Sequence, residues 1–139
     1  MSHFTKLDKA QITDAEAFIK ACADLGFTEV SRNVKIKDFY GKEIEVDVSV
    51  KTGPRYSVAL QKDEAGKYDM VADWWGIRGE MQNSDMSKHG IRNDSELQDA
   101  LLRHTTKHTI ISRYGREGFR ATVTEDEDNN LNVSLVRYR

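Results

Sequence analysis

SELQDALLRHTTKHTIISRYGREGFRATVTEDEDNNLNVSLVRYR, residues 95–139, changes its hydrophobic period once, and that change decides the fold. Ser95-Glu96-Leu97-Gln98 has the form of a capping box, in which a hydroxyl takes an orphan amide and a side chain three residues on reaches back. Leu97, Leu101, Leu102, Ile110 and Ile111 follow at helical spacing up to Tyr114, with Gly115 as the expected stop. Glu96 and Asp99 lie early, and Arg103, Lys107 and Arg113 lie late, which suits the helix dipole. Past the glycine the period drops to two. Phe119, Ala121 and Val123 alternate with polar residues, Glu125 to Asn130 form an acidic turn, and Leu131, Val133 and Leu135 return. A helix feeding a hairpin in this way points to the α+β class.

Upstream the same two periods recur. Thr13-Asp14-Ala15-Glu16 is a second capping box, with Thr13 as the cap. Ala15, Phe18, Ile19, Cys22 and Leu25 continue at helical spacing to Gly26, so the first helix spans about Asp14 to Leu25. Ser2 to Leu7 can pair as an edge strand. From Phe27 to Asp73 the period is two: Ile44, Val46, Val48 and Val50 alternate with Glu45, Asp47, Ser49 and Lys51, a half-buried antiparallel strand. Val34 and Ile36 supply the strand before it, and Tyr56, Val58, Leu60 and Tyr68, Met70, Ala72 the two after it. Such short turns join neighbouring strands directly, so a meander is expected. The expectation is an α+β fold: an antiparallel sheet (meander plus C-terminal hairpin) with two amphipathic helices packed on one face. It forms one domain over residues 1–139, with 76–94 read as a long loop or insertion, a surface insertion with a short helical turn being favoured over a binding lid.

Composition narrows the class further. The 139 residues carry 21 Lys and Arg against 23 Asp and Glu; the resulting net charge of −2 argues against a general nucleic-acid binder. One cysteine, Cys22, cannot form an internal disulfide or a multi-cysteine metal site and is expected as a small buried apolar residue. No run approaches the ~18 apolar residues that span a bilayer, and no hydrophobic signal core opens the chain. A soluble compartment, cytoplasmic or resembling the plastid stroma, is the expectation.

Candidate binding residues are His3, Trp74, Trp75, Arg78, Arg103, Lys107 and His108. His104 and His108 have the spacing of two metal ligands on one helical face, but a zinc-protease signature needs Glu where Thr105 stands. The reading is therefore local hydrogen bonding beside the apolar stripe, with no metal and no cofactor. Trp74 and Trp75 follow a strand directly, so one indole is expected in the core and the other nearer solvent, where it can anchor a partner. Arg103, Lys107, Arg113, Arg116, Arg120, Arg137 and Arg139 concentrate positive charge; with Trp75 and Tyr138 they sketch a single-strand nucleic-acid surface. Gly76-Ile77-Arg78-Gly79 lacks the lysine and context of a phosphate loop, and no nucleophile elbow or distinct carboxylate pair stands out.

Met1-Ser2-His3-Phe4, Ala72-Asp73 followed by tryptophan, His108-Thr109-Ile110, Glu117-Gly118-Phe119 and Leu135-Val136-Arg137 together resemble a small family of unknown function. Its best-known members are conserved hypothetical proteins of cyanobacteria and red-algal plastids, catalogued as hypothetical chloroplast open reading frame thirty-five. The resemblance covers most of the chain and implies an α+β fold. It matches His3 and His108 but not His104, leaves the stretch between Trp75 and Ser95 longer than in the family, and supplies no catalytic residues. The functional expectation is a small non-catalytic binding or assembly-accessory protein with a protein partner. A nucleic-acid-binding module using the C-terminal basic residues is the alternative, and a metal protein or enzyme using the histidines comes third. An open sheet edge also leaves room for a homodimer.

Overall fold

Asp14, not Thr13, caps the first helix: its side chain accepts from the Ala17 amide at 3.1 Å. Its neighbour Glu16 does not reach back; it bonds Arg32 at 2.8 Å. In this computed structural model, which describes residues 5–37, 40–81, 89–128 and 130–138 and side chains from Ile12 onward, α1 spans Ala15–Asp24. It ends two residues before Gly26, whose φ of +91° is the left-handed conformation that glycine adopts without steric cost.

Five antiparallel strands form the main sheet. β1 (Thr5–Ile12) precedes α1, and β2 (Val30–Lys37), β3 (Glu43–Lys51), β4 (Ser57–Lys62) and β5 (Tyr68–Ala72) run as the expected meander. β1 returns beside β5, so the order is β1-β5-β4-β3-β2. The expected first strand is longer and later than Ser2–Leu7, and residues 2–4 of it lie outside the described residues.

Val48, Val50, Val58, Leu60, Met70 and Ala72 line one face of the sheet and share one core with Phe18, Cys22, Ile77, Leu97 and Leu101. Phe18, Leu60, Leu97 and Leu101 are fully buried, each contributing roughly 1.5–3 kcal/mol of transfer free energy. Across the opposite face, the paired residues Ser49, Ala59 and Val71 are buried as well. Strict alternation of wet and dry faces therefore fails at the centre of the sheet.

The largest departure from the sequence reading is α2, Trp74–Met81, an eight-residue helix that starts at the tryptophans, where a long loop or insertion with only a short helical turn was expected. Asp73 is buried and accepts from the Gly76 amide at 3.0 Å, which starts the helix. Glu80 accepts from the Arg55 and Tyr56 amides, both at 3.1 Å, tying α2 to the β3–β4 connection. Gly76 is obligatory: a Cβ there would lie 2.3 Å from the Tyr56 ring. Residues 82–88 of the expected loop lie outside the described residues.

Helix α3 runs Asp94–Arg116, 23 residues or about 34 Å. Asn93 caps it, accepting from the Glu96 amide at 2.9 Å, so the proposed Ser95 cap is one residue inside the helix. Gly115 is also helical, and the stop falls at Gly118, with φ +88°. β6 (Phe119–Glu125) and β7 (Leu131–Arg137) then form the expected hairpin, which stands as a two-stranded sheet of its own and does not join the meander. The α+β class and the antiparallel architecture stand, with three helices among the described residues where two were read.

Candidate binding surface along helix α3 and the hairpin

α3 is more than twice as long as α1, and its two halves have different neighbours. Leu97, Leu101, His104 and His108 fall on one stripe at heptad-like spacing, turned toward α1. The stripe is apolar while it faces Phe18 and Cys22 and becomes polar where α1 ends. There Asp24 Oδ2 meets His104 Nδ1 at 2.9 Å and His108 Nε2 at 2.7 Å. In neutral rings, both contacts are hydrogen bonds only when His104 holds its proton on Nδ1 and His108 on Nε2. Burial pushes the Asp24 carboxyl up, but the bonds and charge from His108 and His104 outweigh it and hold the group below its ordinary value. A carboxylate at a helix C-terminus is otherwise unfavourable, and the imidazoles offset that repulsion. Sequence reading expected local bonding by these histidines; the partner is close in space but 80 and 84 residues away in the chain.

About a third of a turn around α3, Arg103, Lys107, Ile110 and Tyr114 form a second stripe. The hairpin folds back against it. Phe119 meets Tyr114 edge-on at 6.4 Å, and Glu125 Oε2 lies 3.6 Å from Arg103 Nε. The latter is an ion-pair separation too long for a hydrogen bond, and the buried Arg103 Nε has no hydrogen-bond partner. Val123 is buried beneath the hairpin, whereas the outer strand is not: Val133 is 43% and Leu135 41% exposed. Both lie on the β6 core face, since Val133 pairs with Val123 and Leu135 with Ala121. On the reverse face Val136 and Tyr138 are also exposed.

The residues singled out from sequence separate into two groups. Trp74 is buried and Trp75 is 52% exposed, as expected, although the first turn of α2 and not strand alternation divides them. Arg78 grips Asp94 at 3.1 and 3.2 Å, which raises the guanidinium pKa and ties α2 to the first residue of α3. Arg103, Lys107 and His108 lie further along α3, His108 about 21 Å from Asp94 along the axis. Trp75 and Tyr138 thus belong to opposite ends of α3 and cannot share one base-stacking platform. Nor do the arginines form one stripe: Arg120 stacks on Tyr138 and Arg137 on Phe119, on opposite faces of the hairpin. His3 lies outside the described residues.

Sequence reading missed Asp24 and the pair Val133 and Leu135. The first carries no local signal, because its partners come from another helix. The second pair was read correctly as apolar strand positions, but nothing in a strand pattern says which strand is left uncovered.

Cys22 is fully buried, and burial pushes its thiol up to about 12, far from the thiolate form. The Thr105 and Thr106 hydroxyls are turned to the Leu101 and Leu102 carbonyls at 2.6 and 2.9 Å. No described group of three or more His, Cys, Asp or Glu side chains has an arrangement suited to a metal ion.

Comparison with known proteins finds one family: residues 21–135, from the middle of α1 through most of β7, match the model described as Protein of unknown function (DUF1257). No curated protein and no solved structure matches the chain.

Proposed function

The chain belongs to that family of unknown function, and we propose that it is a non-catalytic binding protein that assembles with another protein chain through its C-terminal hairpin. The observation that carries this reading is the half-covered apolar face of β7, where Val133 and Leu135 stay more than 40% exposed beside the packed residues of β6. Exposed apolar surface that continues a packed core is what an interface looks like before its partner is added. A two-stranded sheet is marginal on its own, so docking a partner on this face also stabilises the element that presents it.

The chemistry of the described side chains supports binding over catalysis. The Asp24 carboxylate is engaged by two imidazoles, the Thr105 and Thr106 hydroxyls by the helix backbone, and the Cys22 thiol is buried in its neutral form. A nucleic-acid role is less well supported, because Arg103 lies beside Glu125 and Arg120 and Arg137 lie on opposite faces of the hairpin. No helix among the described residues is long and apolar enough to cross a membrane. The same reading places the protein in a soluble compartment. It also keeps the likeness to the plastid and cyanobacterial reading-frame proteins, which rests on such residues as His108-Thr109-Ile110 and Leu135-Val136-Arg137.

A photo-crosslinking residue at position 135, compared with one at Lys37 on the β2 edge, tests the proposal in extract from the native cell. Stoichiometric capture of one protein chain from position 135 and not from position 37 is expected. Equal background from both positions overturns the reading.

A further inference from the structure

We infer that the partner of the hairpin is a second copy of this chain, with β7 of each copy pairing antiparallel about Ser134. The inference rests on the binding reading above and adds the identity and register of the partner.

Of the four edge strands, β6 packs along α3, and the other three differ in how they resist edge pairing. β2 ends its sheet with Arg32, Lys35 and Lys37 exposed and with Asn33 at φ +52°, an irregularity that breaks a flat edge. β1 carries Lys6, Asp8 and Lys9 in sequence, and its register with β5 shifts between Leu7 and Ile12. Lysines and bulges of this kind are the usual protection of an exposed edge. β7 has neither. Its seven residues pair with β6 in unbroken register, and its one charge, Arg137, is at the last position. Among the described residues no strand lies on its outer side.

The sequence of β7 suits pairing with itself. Centred on Ser134, Val133 of one copy falls opposite Leu135 of the second copy, Asn132 opposite Val136, and Leu131 opposite Arg137. Extending these pairs through β6 gives a four-stranded sheet with chemically consistent rows. One face then carries Ala121 and Leu135 followed by Val133 and Val123 of the second copy, and the symmetric row repeats it. These rows set Val133 of each copy beside Leu135 of the other, so the two apolar side chains that the single copy leaves half-exposed on this face flank each other across the shared edge. On the other face, Thr122 and Ser134 continue into Ser134 and Thr122 of the second copy, a row of hydroxyls at the twofold axis. Charge agrees with the same register. Antiparallel pairing brings the end of β7, with Arg137, toward the Glu125–Asp128 turn of the second copy, which is acidic at all four positions. Such an interface is self-complementary, as twofold symmetry requires.

A seven-residue edge buries less than a standard interface, so a dissociation constant near the micromolar range is expected. Sedimentation equilibrium from about 1 to about 300 µM should show reversible association of the 15.9 kDa chain into a dimer. Leu135→Lys should weaken it at least tenfold while leaving the far-ultraviolet circular dichroism unchanged. Register is tested separately by oxidation of single-cysteine variants, since the native Cys22 is buried. Ser134→Cys places two thiols directly opposite, with Cα atoms about 4.5–5.5 Å apart, within disulfide reach. Asn132→Cys sets them about four residues out of register, roughly 13 Å, and should not cross-link.

A chain that stays monomeric at the highest concentration overturns the inference. So does a dimer in which Ser134→Cys cross-links no faster than Asn132→Cys. A monomer whose position 135 captures a different protein sinks the second copy but leaves the binding reading intact, whereas a monomer that captures nothing removes both.

Discussion

A single oxygen of Asp24, at the last residue of α1, accepts from His104 Nδ1 at 2.9 Å and His108 Nε2 at 2.7 Å on α3. This contact fastens the short helix to the middle of the long one. Asp24→Ala leaves two imidazole donors without their acceptor; at this partly exposed site the expected loss is about 1 kcal/mol. The carboxyl is lowered in the folded protein, so its contribution is complete above the ordinary carboxylate range and fades as pH falls through the lowered value. Urea unfolding of wild type and Asp24→Ala should therefore differ at pH 7 and converge as the pH drops toward 2. A gap that stays constant to low pH would assign the effect to packing instead.

Gly76 and Gly79 lie three residues apart in α2 but should respond in opposite ways to alanine. A Cβ at position 79 meets nothing within 4 Å, so Gly79→Ala should stabilise by about 0.5–1 kcal/mol through helix propensity. The same propensity gain at position 76 is overridden by the Tyr56 ring, and Gly76→Ala should destabilise by about 1–3 kcal/mol. Thermal unfolding of both variants checks the contrast.

Capping of α3 gives a second paired expectation. Asn93→Ala removes the acceptor of the Glu96 amide and should cost about 1 kcal/mol. Ser95 is exposed within the first turn, and Ser95→Ala should change stability by less than about 0.5 kcal/mol. The reverse order in denaturant titrations would restore Ser95 as the cap.

Two leucines of the C-terminal block separate core from interface. Leu101 is fully buried, and Leu101→Ala should cost about 2–5 kcal/mol. Leu135→Ala, at 41% exposure, should cost less than about 1 kcal/mol when measured under monomeric conditions. A large loss at Leu135 in dilute protein would mean that the hairpin buries it without any partner.

Cys22 supplies a direct probe of opening. With the side chain fully buried and the thiol raised to about 12, it should react with a thiol reagent only as the fold opens. The labelling rate at pH 8 should rise with denaturant in parallel with unfolding. Prompt labelling of the native protein would contradict the burial.

Local periodicity read most of this fold. Ile44 to Val50 alternates because Val46, Val48 and Val50 are buried on one face while Glu45 and Lys51 are exposed on the other. Only Ser49, buried at the centre of the sheet, departs from what the neighbouring residues spell out. Helix α2 was hidden because the stretch from Gly76 to Asn93 mixes Gly, Asn, Ser, Asp and Met with no clear period, although the Asp73 cap and the Trp74, Ile77, Met81 spacing were present. Gly76 is there for the Tyr56 ring, a tertiary demand that overrides propensity. The site was less legible. His104 and His108 stood out by their spacing, but Asp24 is 80 residues from the nearer one, and no local pattern pairs them. The exposure of Val133 and Leu135 follows from how far the hairpin overhangs α3, which depends on packing and not on any strand signal.

The unequal lengths of α1 and α3 divide one continuous helix between two cooperative units. Amides around Leu97 to Thr105 lie over the main core and should exchange hydrogen only when the whole domain unfolds. Beyond His108 the helix is held chiefly by the hairpin, so its amides should exchange together with those of β6 and β7 through a smaller opening. The boundary falls at Asp24. A helix that looks uniform along its backbone would then carry two protection levels, and a chain that docks on the hairpin would raise only the lower one.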